Sequence, residues 1–203
     1  MAENITIFGA GYVGLIAGVC LAHSGHDVTV CDVDQDKLTA LSSAKSPIFE
    51  PGLEELLAEG LDHGNLHFIH TDTLPERLSG AIFIAVGTPP TSSGSADLTY
   101  VRAVIDSVAA RAESGTVLVM KSTVPPGTGV KLASRLREAG VDYVSNPVVL
   151  REGSAVKDWF QTDRIVLGGS TDAVERISSL YADIDAPILT CDITSAEISK
   201  DAS

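Results

Sequence analysis

Positive charge is scarce in this chain. Its 203 residues carry 14 Lys and Arg against 27 Asp and Glu, a formal net charge of −13. Such a balance argues against nucleic acid and against an anionic membrane as partners. It also makes a poor landing surface for a polyanionic substrate unless cations are brought from elsewhere. Cysteine is scarce too. The three residues, Cys20, Cys31 and Cys191, show neither CxxC nor metal-ligand spacing, and the odd count argues against a disulfide framework, so no metal is expected. Cys20 and Cys31 fall among apolar residues and read as packing, Cys191 as packing or surface. No apolar run reaches the ~18 residues that a membrane span requires. No basic segment leads into an apolar one near Met1. A reducing, cytoplasmic setting fits these absences.

What the chain does have is alternation of strand and helix patterns. Residues 4–8 (Asn-Ile-Thr-Ile-Phe) read as a strand that runs into Gly9-Ala10-Gly11-Tyr12-Val13-Gly14. An apolar helix pattern follows (Val13, Ile16, Ala17, Cys20, Leu21), and residues 27–31 form a second strand ending at Asp32. This is the dinucleotide fingerprint. The first glycine permits the tight turn, the second lets backbone approach a pyrophosphate, and the third lets the helix pack on the sheet. Asp32 follows Gly9 at close to the expected spacing of about 20 residues. A carboxylate there accepts from a ribose 2′-hydroxyl and repels a 2′-phosphate, and no Arg follows it, so NAD is favoured over NADP. Lys37 is the one nearby cation, equally readable as a ribose contact or as a solvated helix residue.

Further along, helices are expected over 34–44, 53–61, 99–111, from Pro125-Pro126-Gly127 to about 139, and over 171–182. Strands are expected over 66–69, 81–86, 116–120, 142–145, 164–168 and 187–190. The Ser/Gly stretch 91–96 reads as the most flexible loop. The fold class is therefore α/β: a Rossmann-type, doubly wound, mostly parallel sheet in three α/β/α layers, with ligands at the C-terminal ends of its strands. Three loops fall on that edge: 87–90, 121–128 and 146–154. Taken alone, each is as readily plain turn chemistry as a binding loop.

Together these segments resemble the nucleotide-sugar 6-dehydrogenases, the family that contains UDP-glucose 6-dehydrogenase. The resemblance spans essentially the whole chain. It rests on the glycine turn, Pro47-Ile48-Phe49-Glu50-Pro51-Gly52-Leu53, Gly87-Thr88-Pro89, Ala96-Asp97-Leu98-Thr99-Tyr100-Val101, Lys121-Ser122-Thr123-Val124-Pro125-Pro126-Gly127-Thr128, Leu150-Arg151-Glu152-Gly153-Ser154-Ala155, Asp163-Arg164-Ile165-Val166-Leu167-Gly168 and Ser195-Ala196-Glu197. It implies oxidation of a sugar C6 alcohol to a carboxylate with two NAD⁺, through an aldehyde and a cysteine thioester. It implies that Gly9, Gly11, Tyr12, Val13, Gly14, Asp32, Lys37, Gly87, Thr88, Thr123 and Glu152 hold NAD. Thr123 would also help hold a catalytic water, Val149 and Leu150 would touch the nucleotide sugar, and Lys200 would stabilise developing oxyanion charge.

Two departures qualify that resemblance. The family loop reads Asn-Pro-Glu, whereas Val148 follows Asn146-Pro147 here. Valine does no general-base work, a loss typically of ~10²–10⁴-fold. Second, Ser203 falls one turn into the helix begun at Thr194. The expected organisation is an NAD-binding domain over 1–193 and, over 194–203, the start of a truncated inter-domain helix. The family's second domain, with its catalytic Cys and its substrate cations, would lie beyond. The isolated chain is thus expected to bind NAD weakly and turn over little or nothing. A UDP-sugar would be reached only through that second domain. A homodimer is expected for a full-length parent, and a monomer or weak oligomer for this chain. A lone helical turn with no packing partner is marginal, so residues after about Glu197 are expected to be mobile. Two alternatives stay open: a dinucleotide-binding module that has lost its chemistry, and the NAD domain of a β-hydroxyacid-type dehydrogenase.

Overall fold

The computed structural model describes residues 2–148 and 150–199. Its centre is an apolar sheet. The strands are β1 (Asn4–Phe8), β2 (Asp27–Asp32), β3 (Leu66–His70), β4 (Ala81–Ile84), β5 (Val117–Met120), β6 (Asp142–Ser145), β7 (Ile165–Gly169) and β8 (Ile188–Cys191). They lie in the order β3-β2-β1-β4-β5-β6-β7-β8. β1 pairs in parallel with β2 on one side and β4 on the other, Ile7 facing Val30 and Phe83. The strand order therefore reverses between β1 and β4, which opens the crevice where such sheets bind ligands.

Period-two alternation fills both faces. Ile5, Ile7, Phe83, Val117 and Val119 point into one core with the helices α1 (Tyr12–His23), α3 (Leu53–His63) and α7 (Thr171–Ser179). Phe8, Ile82, Ile84, Leu118 and Met120 point into the other with α4 (Thr99–Arg111) and α5 (Thr128–Glu138). Every residue of β4 and β5 is buried. Burying each large apolar side chain there contributes roughly 1.5–3 kcal/mol, so the fold closes around these strands. Cys20 and Cys31 are part of this packing, and burial pushes the Cys31 thiol up to about 12. The helices α2 (Gln35–Leu41) and α6 (Ala155–Phe160) are short. The second follows directly on the 146–154 loop, in a stretch where the sequence pattern gives no element. The 91–96 loop is exposed but closed on itself, the Thr91 amide donating to the Ser95 carbonyl at 2.7 Å.

One pairing breaks the parallel pattern: β6 and β7 are antiparallel, Ser145 opposite Gly168. The connection 146–164 leaves β6 and enters β7 at the same rim. It stays on the ligand edge of the sheet instead of crossing to the far end, and it carries α6 with it.

The last described helix, α8 (Ile193–Ser199), is not an unpacked stub. It lies on β6, β7 and α5 with Ala196 and Glu197 buried. Two glycines make room for it. A Cβ on Gly168 would sit 2.6 Å from the Ala196 Cβ, and one on Gly129 would sit 2.6 Å from the Ile193 Cγ2. Glu197 then caps α5, its carboxylate accepting from the Gly127 and Gly129 amides at 2.6 Å each. Gly127, the N-cap residue, has no side chain to do so. The expectation of mobility beyond Glu197 thus gives way to helix through Ser199, and its remainder lies outside the described residues.

His26 is buried beside Glu3, whose amide donates to its Nδ1 at 3.2 Å. Burial lowers its pKa, outweighing the Leu180 carbonyl bond and the Glu3 and Asp183 carboxylates. The unfolded chain takes up this proton at a higher pH than the folded one. Stability from the neutral ring is therefore present above the ordinary histidine value of about 6.5 and is lost as pH falls below it. An NMR titration should find the His26 ring still neutral at the pH where a free histidine is half protonated, and a protonated ring there would contradict this.

Candidate functional site

The glycine turn leaves β1 between two neighbours. The Gly9 amide donates to the Cys31 carbonyl at 2.8 Å, and the Ala85 amide to the Phe8 carbonyl at 2.8 Å. Gly9 has φ +103°, and a Cβ there would lie 2.7 Å from the Ala85 carbonyl oxygen, so only glycine fits. A Cβ on Gly14 would lie 1.9 Å from the Gly9 oxygen, which lets α1 start hard against the turn. Gly11 differs. Nothing lies within 4 Å of its would-be Cβ, and it is the N-cap of α1 with no side-chain cap. The first amides of α1, whose half-buried Tyr12 and Val13 follow Gly11, therefore face an open space suited to an anion.

Asp32 stands across the turn. Its Oδ2 accepts from the Ala10 amide at 2.7 Å and from the Lys37 ammonium at 3.2 Å; its Oδ1 accepts from the Asp34 amide at 3.0 Å. Burial alone would raise this carboxyl, but the Ala10 and Asp34 amides and Lys37 outweigh it and hold it below the usual carboxylate value. Lys37 is thus an ion-pair partner rather than a freely solvated side chain. Val33, the next residue, is 72 % exposed, an apolar surface beside the carboxylate.

The strands on the other side of the switch bring the remaining candidates to the same edge. After β4 come Gly87 and Thr88; after β5, Thr123. The Thr88 hydroxyl donates to the Thr123 carbonyl at 2.9 Å, and the Ser122 hydroxyl to the Val86 carbonyl at 2.7 Å, which stitches the two loops together. After β6 come Leu150, packed on the core, and Glu152, exposed on the rim. Val149 and Lys200 lie outside the described residues.

The sequence reading assigned no role to several buried polar groups here. Lys121 is 2 % exposed, donates to Asn146 Oδ1 at 2.7 Å and lies 5.0 Å from the Trp159 ring centroid. Asn146 also accepts from the Tyr181 hydroxyl at 2.6 Å and donates to the Val166 carbonyl at 3.0 Å. These groups floor a cavity of about 380 Å³ that Val148, Leu150 and Arg164 also line. Glu50 accepts from the Tyr12 hydroxyl, from the Gly153 amide at 2.5 Å and from the Ala155 amide at 3.1 Å. The Arg151 carbonyl lies 3.1 Å from the same Tyr12 hydroxyl. Arg151 also grips Asp158, Nη2 to Oδ1 at 2.8 Å; that contact outweighs burial, which would raise the carboxyl, and brings Asp158 down to about 2. Glu50 and Lys121 both sit in motifs quoted above, but spacing gives no hint of partners up to 105 residues away.

A parallel sheet with a strand switch, a glycine turn beneath an uncapped helix and a carboxylate at the end of β2 define a Rossmann-type dinucleotide-binding domain. The chain belongs to the UDP-glucose/GDP-mannose dehydrogenase family, whose NAD binding domain matches residues 3–185. The cofactor is accordingly NAD. Among relatives, the UDP-glucose 6-dehydrogenase of Rhizobium meliloti is 49 % identical over 172 residues, 81 % of this chain and 39 % of its own length. The UDP-glucose 6-dehydrogenase TuaD of Bacillus subtilis is 39 % identical over 99 % of this chain and 45 % of its own. A solved UDP-glucose dehydrogenase from Pyrobaculum islandicum superposes with a TM-score of 0.88 at 38 % identity, over all of this chain and 49 % of that one. The chain thus spans less than half the length of these relatives. No described helix is long and apolar enough to cross a membrane.

Proposed function

We propose that this chain is the NAD-binding part of a nucleotide-sugar 6-dehydrogenase of the UDP-glucose type. In that reading the whole protein oxidises the sugar C6 alcohol to a carboxylate with two NAD⁺. The observation that carries it is the pairing of Asp32, held as a carboxylate against the Ala10 amide, with the open space over Gly11. The residues present fit NAD: a Cβ-free cradle, free helix amides and an acceptor for ribose.

NAD, when bound, supplies the hydride acceptor. The protein's own residues bind and orient it. Gly9, Gly11 and Gly14 let the backbone approach the pyrophosphate, with Tyr12 and Val13 leading into the helix whose amides face it. Asp32 and Lys37 take the adenosine ribose. Gly87, Thr88, Thr123 and Glu152 border the opposite, nicotinamide end. Thr123 would hold the catalytic water, and Leu150, beside the cavity, together with Val149 would meet the nucleotide sugar. Lys200 would face developing negative charge. Domain limits of 1–193 and 194–203, a homodimeric whole protein, a monomeric or weakly associating chain and a cytoplasmic setting complete the reading. The 203 residues alone should turn over little or nothing.

The test is a calorimetric titration with NAD⁺ and NADP⁺. The wild-type chain should prefer NAD⁺. Asp32→Asn should weaken NAD⁺ about tenfold, as expected for a lost hydrogen bond to a charged acceptor, and should narrow the gap to NADP⁺. An unchanged preference in the variant would remove Asp32 from the role.

A further inference from the structure

Glu50 carries a fully engaged carboxylate in a place where nothing about an NAD cleft requires one. It is 5 % exposed and lies in the loop before α3. Its three donors come from two other segments: Tyr12 at the head of α1, and Gly153 and Ala155 in the connection after β6. Charge favours the arrangement. Burial would raise the Glu50 carboxyl, but the Tyr12 hydroxyl and the two amides together keep it below the usual value. The Tyr12 hydroxyl, by burial first and by its acceptor second, is pushed above its ordinary range. The proton therefore stays on the phenol and the charge on the carboxylate, so the contact is charge-assisted at neutral pH.

The connection has few other ties to the turn. Residues 150–154 form no regular structure of their own. The Arg151 carbonyl, 3.1 Å from the Tyr12 hydroxyl, is a second and weaker acceptor for the one proton that Glu50 also takes. With both contacts made, the glycine turn and the 150–154 segment behave as one wall. We propose that Glu50 is a positioning residue. It fastens the segment bearing Leu150 and Glu152 to Tyr12, and so sets the geometry of the nicotinamide end of the cleft without touching the cofactor. This rests on the functional reading above, in which Asp32 marks the adenosine end.

That separation of ends makes the idea testable on the 203-residue chain. ADP-ribose carries both phosphates and both riboses but no nicotinamide, so it does not report contacts to the nicotinamide ring at the far end. Wild type, Glu50→Gln and Tyr12→Phe are each titrated with NAD⁺ and with ADP-ribose, and a thermal melt confirms folding. Glutamine keeps the volume but turns an amide group against the Gly153 and Ala155 donors. E50Q should weaken NAD⁺ about tenfold and ADP-ribose by less than about twofold, given the usual cost of losing hydrogen bonds to a charged group. Y12F should show the same split, smaller. Equal weakening of both ligands, or no weakening of NAD⁺, overturns the positioning role. Should E50Q not fold, Y12F decides alone, by the same split. Failure of the wild-type chain to bind either ligand would instead overturn the functional reading.

Discussion

Gly11→Ala is expected to weaken NAD⁺ binding by up to about a hundredfold while leaving the fold intact. The backbone at Gly11, φ −77° and ψ −172°, is ordinary for alanine, and the new methyl meets nothing within 4 Å. Stability should change by less than ~1 kcal/mol, a poorer N-cap offsetting a stiffer unfolded chain. The methyl instead occupies the space into which the α1 amides point. Forcing a methyl into a filled site costs roughly 1–3 kcal/mol, and the upper end of that range is about a hundredfold in affinity. Gly14→Ala is the contrast, because its methyl would collide with the Gly9 oxygen at 1.9 Å and the fold itself would suffer. A melt and a calorimetric titration of the two variants separate the effects. Wild-type NAD⁺ affinity in Gly11→Ala would mean that the phosphates lie elsewhere.

The second large effect is at Glu197. Glu197→Ala removes the acceptor of the Gly127 and Gly129 amides and leaves both donors unsatisfied beneath α8. At ~1–3 kcal/mol per orphaned buried group, the loss should be about 3 kcal/mol. For a chain of this size that lowers the melting temperature by roughly 10 °C. Glu197→Gln keeps the volume and one acceptor and should fall between. An unchanged melt in the alanine variant would show that α8 does not hold α5 in solution.

Much of this molecule was legible before its structure, and the reasons are local. The turn at Gly9–Gly14 and the carboxylate at Asp32 sit on adjacent parallel strands, so their chemistry is written in short spacings. The apolar runs at 81–84 and 117–120 read as buried strands because both faces of each are covered. What escaped was long-range. An apolar strand segment such as Ile165–Gly169 reads as a strand whichever way it runs, so its antiparallel pairing with β6 leaves no trace in sequence. α6, at six residues, is too short for its period to register. Glu50 and Glu197 cap other elements across 103 and 70 residues, respectively. The same blindness produced the expectation of an unpacked α8, since the glycines that admit it, Gly129 and Gly168, look like ordinary residues of a helix and a strand.

Trp159 is the chain's single tryptophan. It lies 4 % exposed in α6, close to the Lys121 ammonium and tilted against the Tyr181 ring, one turn along the same helix from the Ala155 amide that Glu50 holds. Its emission colour and intensity depend on that charge and on dryness. The protein therefore contains its own optical gauge of the 150–155 segment: loosening that segment lets water reach the indole and shifts its fluorescence to the red, with no label attached.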